Sequence, residues 1–290
     1  MRSGSHERRA SRESAERATN EPLVTTRFAP APTGHLHLGH VFNAICVWET
    51  ARREAGRVLL RIEDHDRQRS RREYEDSILE DLAWLGFVPD GAPVRQSQRG
   101  AIYEAALNRL RGQALVYACE CSRQEISAAG TPASAGGAEL RYPGTCASKG
   151  LAEAPGRAVR VRLPRSEERF TDLLQGPQVQ VPSEQCGDLL ARDRHGYWTY
   201  QFAVTVDDLE QSVNLVIRGV DLLESTGRQI QLGRMLGRIE PPRFMHHPLV
   251  MKSATQKLSK SDGDTGIREL RAAAMTREEV LEVARRLAAV

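Results

Sequence analysis

Residues 29–40 read APAPTGHLHLGH, so His35, His37 and His40 fall within six positions directly behind a Pro-Thr-Gly turn. Imidazoles crowded in this way can bind a metal, serve as bases for a nucleophile, or donate to a phosphate. A metal site needs further ligands, and no acidic residue of the stretch supplies one. A nucleophile–base pair needs a Ser, Cys or Thr in a strained elbow, whereas Thr33 sits in a turn and reads as structural. The phosphate reading has a mechanism: strand, glycine-bearing turn and helix aim backbone N–H groups and a positive helix end at an anion. Imidazole donors at that point can bond a phosphate as it gains charge. His37 and His40 flank Gly39, where a nucleotide can approach closely, while His35 reads as a solvent-facing loop residue. Far downstream, KLSKS sets Lys257, Leu258, Ser259, Lys260 and Ser261 in a polar loop, where two lysines can close over a pyrophosphate leaving group.

The surrounding pattern supplies the scaffold. VTTRFAP (24–30) predicts a strand stopped by Pro30, and the run after HLGH predicts a helix carrying Val41, Ile45 and Trp48. RVLLRIED (57–64) predicts a strand buried on both faces. RREYEDSILEDLAWLG predicts a helix with Tyr74, Ile78, Leu82 and Leu85 on one side and a glycine stop. Strand and helix alternating this way predict a parallel α/β sheet. Residues 115–190, rich in Gly, Ala, Ser and Pro with short antiparallel strands, read as an insertion between two halves of that sheet. The second half predicts a β-rich run after Tyr197, a helix over 222–236, a strand at FMHHPLVM, and a last helix opened by the capping box TREE (Thr276, Glu279). The predicted organisation is therefore a disordered tail (1–21), a first half (22–114), the insertion (115–190), a second half with the KLSKS loop (191–262) and a short helical segment (263–290).

Composition excludes little. With 290 residues the chain can bury a substantial core, and a formal charge of +3 permits a nucleic-acid partner without arguing for one. No run of about 18 apolar residues predicts a membrane span. The start lacks the apolar core of a signal peptide, and the cytoplasm is the expected compartment. Cys46, Cys119, Cys121, Cys146 and Cys186 are odd in number, and three of them cluster, which points to a metal rather than disulfides. Cys119, Cys121 and Cys146 suit Zn(II), which in structural sites takes four ligands. No histidine lies between them, so the fourth could be Tyr142, Cys186 or water.

HLGH paired with KLSKS in an α/β chain resembles the class I aminoacyl-tRNA synthetases, whose signatures are HIGH and KMSKS. RFAPAPTGHLHLGH and RIEDHD narrow the resemblance to the glutamyl group, RGVDLLESTGRQIQL agrees, and the likeness runs from Thr25 to Ser261. The resemblance implies a class I synthetase-type Rossmann fold, α/β with a parallel sheet, interrupted by a zinc-bearing α+β insertion. It also implies ATP contacts from Pro32, Gly34, His37, Gly39, His40 and Lys257 to Ser261, with His37, His40 and Lys260 acting on the phosphates. Glutamate contacts would come from Arg27, Ala29, Ala31, Glu63, Tyr200 and Arg218. Burying a substrate with two carboxylates and an ammonium requires arginines and an acid, which assigns Glu63 to the ammonium and the two arginines to the carboxylates, in either order. One departure stands out: the family usually reads APSPTG, and Ala31 replaces that serine.

Only 29 residues follow Ser261, where glutamyl-tRNA synthetases continue into a helical anticodon-binding region. That brevity and the C-x-C cluster resemble the glutamyl-queuosine tRNA(Asp) synthetases, whose related chains favour Tyr142 as the fourth zinc ligand. The resemblance implies a monomer that uses ATP with Mg(II), L-glutamate and queuosine-containing tRNA(Asp). A truncated enzyme charging the 3′ end of tRNA(Glu), a non-catalytic synthetase-like binding protein and a small-molecule nucleotidyltransferase are the competing readings. The arginines of RQRSRRE (67–73) read as tRNA-phosphate contacts or as a solvated helix start.

Overall fold

A computed structural model describes residues 24–129, 140–250 and 266–288. The predicted tail and the five KLSKS residues, Lys257 to Ser261, lie outside the described residues.

The chain opens with β1 (Thr25–Phe28), α1 (Leu38–Arg53), β2 (Arg57–Ile62), α2 (Arg72–Leu85) and a two-residue β3 (Val94–Arg95). The three strands pair in parallel in the order β1–β2–β3. β1 is buried along its whole length, as expected for a strand covered on both faces. α1 turns Val41, Ala44, Ile45 and Val47 into the core, and α2 does so with Ile78, Leu82 and Leu85 before stopping at Gly86, whose φ of 79° is left-handed. The second half contributes α6 (Tyr200–Glu210), β9 (Leu215–Gly219), α7 (Thr226–Met235) and β10 (Arg243–His247), with β9 and β10 parallel. The halves meet at β1 and β9, where the Asn214 amide donates to the Thr25 carbonyl (3.0 Å) and the Thr25 amide to Asn214 Oδ1 (2.8 Å). All these strands therefore present their carboxyl ends along one edge, where open α/β sheets bind ligands.

Between the halves lie α3 (Gly100–Gly112), β4 (Val116–Cys119), α4 (Arg123–Ala128), β5 (Ala158–Val161), β6 (Glu168–Asp172), β7 (Gly176–Gln180), α5 (Pro182–Gln185) and β8 (Leu189–Arg192). β4, β5 and β8 form a small antiparallel sheet. The β6–β7 hairpin falls inside the predicted insertion by sequence, yet β6 joins the edge of the main sheet beside β10, with Phe244 opposite Asp172. One apolar cluster likewise draws Leu107 of α3, Val159 of β5, Leu189 of β8 and Phe202 of α6 together, across the boundaries at 115 and 190.

The predicted β-rich run after Tyr197 is largely helix: α6 occupies its centre and only β9 is strand. The reason is burial. Residues 202–208 of α6 are all buried, so the segment shows no amphipathic 3.6 period, and its β-branched residues imitate a strand. Finally α8 (Ile267–Ala272) and α9 (Arg277–Ala288) pack back on the first half through Ile267, Val280 and Ala284. The predicted capping box opens α9: Glu279 Oε2 accepts from the Thr276 amide (2.7 Å) and Thr276 Oγ1 from the Glu279 amide (3.3 Å).

Candidate active site

The turn after β1 is tied down at both sides. The Glu63 amide donates to the Pro30 carbonyl (3.0 Å), the Thr33 amide to Ala31 (2.8 Å), and the Arg71 amide to Pro32 (3.0 Å), so Ala29 to Gly34 bend across the ends of β1 and β2. His37 then caps α1. Its Nδ1 accepts from the Gly39 amide (3.1 Å), while His40 Nδ1 accepts from the His37 amide (3.1 Å), and the two rings lie 3.8 Å apart. This is a capping box built from imidazoles instead of Ser and Glu. With both Nδ1 atoms accepting, a neutral ring carries its proton on Nε2 and keeps a donor there. A side chain at Gly39 would crowd this cap, since a Cβ there would stand 2.9 Å from His37 Cε1. The first turn of α1 holds no acidic residue of its own, and the positive end of a helix favours an anion. The chain beyond KLSKS re-emerges here, with Gly266 bridged to His37 and the Ile267 amide donating to Leu36 (2.9 Å). His35 is not solvent-facing. It bonds Ser77 Oγ (2.9 Å) and meets Tyr74 edge-on, because α2 passes behind the turn.

At the neighbouring strand ends sits a buried charge network. Asp208 of α6 accepts from Arg27 Nε (3.1 Å) and Arg61 Nη1 (2.8 Å), and Arg61 Nη2 reaches Glu63 (3.3 Å). Arg61, fully buried, also faces Asp207 at 3.7 Å. Burial works to raise the Asp208 pKa, but Arg27 and Arg61 prevail and hold it below the ordinary carboxylate value. For Glu63 burial wins over Arg61, His65 and Arg27, and the carboxyl is raised. Arg61, Asp207 and Asp208 were not singled out from sequence. Their signals were present: Arg61 and Glu63 alternate onto one face of β2, and two aspartates interrupt an otherwise apolar run.

Arg218 closes the site from β9. It donates to His246 Nε2 (2.9 Å), Gln229 Oε1 (2.8 Å) and Thr226 Oγ1 (2.9 Å), and the Tyr200 hydroxyl lies within its electrostatic reach. These partners are all neutral, and among the described residues no carboxylate comes within ion-pair distance. Burial lowers the Arg218 pKa and also raises that of Tyr200. Tyr200 lies within electrostatic reach of Arg218, Glu63 and Arg27. Ala29 and Ala31 carry no side-chain chemistry and border the site only through the turn.

The cysteine cluster forms in the small sheet. Cys121 Sγ lies 3.4 Å from Cys146 Sγ, and the Tyr142 hydroxyl lies 3.4 Å from Cys119 Sγ and 4.0 Å from Cys121 Sγ. A tetrahedral Zn(II) with bonds of about 2.3 Å to sulfur has edges of about 3.7 Å, so these four donors fit the ion. The Cys186 thiol instead donates to the Pro182 and Gly187 carbonyls (3.2 and 3.3 Å). Tyr142 is seated by Gly187, at φ 68°, where a Cβ would lie 2.0 Å from the Tyr142 carbonyl oxygen. Arg160 covers the Tyr142 ring at 3.6 Å. Burial pushes the Cys121 thiol up to about 11, so a metal would displace its proton on binding.

Of the arginines of 67–73, Arg67, Arg71 and Arg72 border a cleft of roughly 630 Å3 that also touches Pro32, Asp64 and Arg95. Arg72 pairs with Asp76 (3.0 Å) and Arg69 with Asp66 (2.6 Å), whereas among the described residues Arg67 and Arg71 bond backbone carbonyls alone.

Residues 23–289 match the family of class I tRNA synthetases (E and Q), catalytic domain. A glutamyl-Q tRNA(Asp) synthetase of Geobacter sulfurreducens is 45% identical over 84% of this chain and 78% of its own length. One from Burkholderia cenocepacia is 43% identical over 85% of this chain and 83% of its own. A glutamate–tRNA ligase of Oleidesulfovibrio alaskensis is 43% identical over 83% of this chain, which spans about half (52%) of that relative. The solved structure of a glutamate tRNA ligase from Elizabethkingia meningosepticum superposes with a TM-score of 0.72 and 26% identity, covering 90% of this chain and 64% of the other. The strand-end charge network, the histidine-capped helix and the match along nearly the whole chain agree, and the chain belongs to the class I tRNA synthetase family of the glutamyl and glutaminyl type.

Proposed function

We propose that the protein activates L-glutamate with ATP and transfers it to queuosine in the anticodon loop of tRNA(Asp), acting as a cytoplasmic monomer. The observation that carries the substrate assignment is Arg218, a buried cation whose hydrogen-bond partners are neutral, with Tyr200 in electrostatic reach of both it and Glu63. Such a site takes an amino acid with a side-chain carboxylate. Glu63 receives its ammonium, Arg27 and Arg218 its carboxylates, and Tyr200 with the turn at Ala29 and Ala31 bounds it. Glutamine would leave a guanidinium without a counter-charge, a large penalty in a buried site. The choice of queuosine over a tRNA 3′ end rests on similarity to the glutamyl-Q tRNA(Asp) synthetases.

ATP enters as its magnesium complex and lies across Pro32, Gly34, His37, Gly39 and His40, with Lys257, Leu258, Ser259, Lys260 and Ser261 over the pyrophosphate. An oxygen of the glutamate α-carboxylate attacks the α-phosphorus, the bond to the bridging oxygen breaks, and pyrophosphate leaves. The start of α1, His37, His40 and Lys260 stabilise the charge that develops. A hydroxyl of the queuosine ring then attacks the acyl carbon, and AMP departs. Cys119, Cys121, Cys146 and Tyr142 would hold Zn(II), whose contribution is to cross-link the segment between the sheet halves.

The test is transfer of labelled glutamate, with ATP, to three RNAs: tRNA(Asp) with queuosine, tRNA(Asp) without it, and tRNA(Glu). Labelling of the first alone supports the proposal; labelling of tRNA(Glu) makes this a glutamate–tRNA ligase. Lys260→Ala should slow glutamate-dependent pyrophosphate exchange at least about a hundredfold, and an unchanged rate would remove Lys260 from the mechanism.

A further inference from the structure

Arg218 reaches out of the glutamate site into a buried chain of groups. Its Nε–H can only donate, so His246 Nε2, 2.9 Å away, must accept. The neutral ring then carries its proton on Nδ1 and donates it to Asp172 Oδ2, 2.6 Å away. Asp172 is fixed in turn by the amides of Leu174 (3.0 Å), Gln175 (2.9 Å) and His246 (3.2 Å). Both side chains of the His246–Asp172 pair are fully buried. The chain therefore has one polarity: carboxylate, imidazole as relay of a single tautomer, guanidinium.

We propose that His246, oriented by Asp172, is a positioning and specificity residue. It holds Arg218 through a neutral acceptor where a carboxylate would cancel the guanidinium's charge. A carboxylate directly on Arg218 would fix it equally well but would leave it indifferent to whether the substrate brings a carboxylate or an amide. The imidazole separates the two tasks, since it sets the guanidinium's direction and keeps the charge for the ligand. Asp172 stays one ring away, where it selects the tautomer without contacting Arg218.

The inference rests on Arg218 meeting a substrate carboxylate, and Arg218→Ala tests that first: glutamate-dependent pyrophosphate exchange should collapse, and if it persists the underlying reading of the site fails. Three further variants test His246 itself in the full-length protein, each checked by thermal unfolding. His246→Gln, a neutral acceptor of similar reach, should keep the glutamate KM within about threefold of wild type. His246→Leu should raise that KM at least about tenfold with kcat less affected. His246→Glu combined with Asp172→Asn puts a carboxylate on Arg218, and the ratio of kcat/KM for glutamate over glutamine should fall at least about tenfold. If Arg218→Ala is inactive while the Glu/Asn double variant folds and retains wild-type discrimination, His246 does not set specificity. Equal losses in the Gln and Leu variants would likewise reduce it to packing.

Discussion

His246 is a histidine the fold keeps neutral, which makes acid stability a measure of its surroundings. Burial, and then the Arg218 charge, bring its pKa down from 6.5 to about 4, against the pull of Asp172. Between these values the unfolded chain binds a proton at this ring that the folded chain refuses. Stability therefore rises with pH across the window: the full value holds above about pH 7 and falls progressively toward pH 4. At about 1.4 kcal/mol for each pH unit, the drop corresponds to about 3 kcal/mol, a large share of a typical domain's stability. The Asp172 carboxyl lies below its ordinary value, so its own titration falls below this window. His247, also lowered by burial, acts in the same direction, so the measurement compares wild type with His246→Gln. Urea unfolding at pH 7, 6, 5 and 4 should show the wild type losing about 3 kcal/mol more than the variant between the extremes, with unchanged slopes. Parallel losses in the two proteins would refute the buried, neutral state of this ring.

Glu63 gives a signature of the same direction in binding, although its pKa moves the other way. Its carboxyl is raised by burial, so the charge that receives an ammonium disappears at a higher pH than for an ordinary glutamate. The glutamate KM should climb as pH falls, and Glu63→Gln should raise it about ten- to a hundredfold at neutral pH while flattening the profile; a profile that survives in the variant would exclude Glu63. Cys146→Ser should reduce zinc content, read by atomic absorption, and lower Tm by several degrees, as should prolonged chelation of the wild type; unchanged zinc content would place the ion elsewhere. Gly187→Ala should act on the same site without touching a ligand, because its Cβ meets the Tyr142 backbone. Its zinc affinity should fall with all three thiols intact, and full affinity would show that Tyr142 is not held there for the metal.

Much of the scaffold could be read from the chain. The alternation of apolar strands with helices that end at glycines predicts β1, α1, β2 and α2, and the TREE box marks the start of α9. HLGH was legible as a helix start behind a glycine-bearing turn, although its histidines also cap the helix, a role no residue type announces. α6 was not legible, because a helix buried on every side loses the period that identifies it. Arg61 and Asp208 meet across 147 positions and Asp172 and His246 across 74, so no local pattern records either contact. The position of β6 was hidden for the same reason: its partner β10 follows far along the chain.

That strand makes the segment between the sheet halves poor material for exchange. Residues 115–190 have the composition of a detachable cassette, and a chimera maker would cut at their ends. The graft would carry away the β6–β7 edge of the main sheet and, with it, the carboxylate that orients His246. A donor cassette that supplied its own metal cluster but no acid at position 172 would leave the recipient folded and its amino-acid choice blunted. Exchange that preserves selection has to leave the 168–180 hairpin with its host, as part of the catalytic body, and swap only the small sheet and its cysteines.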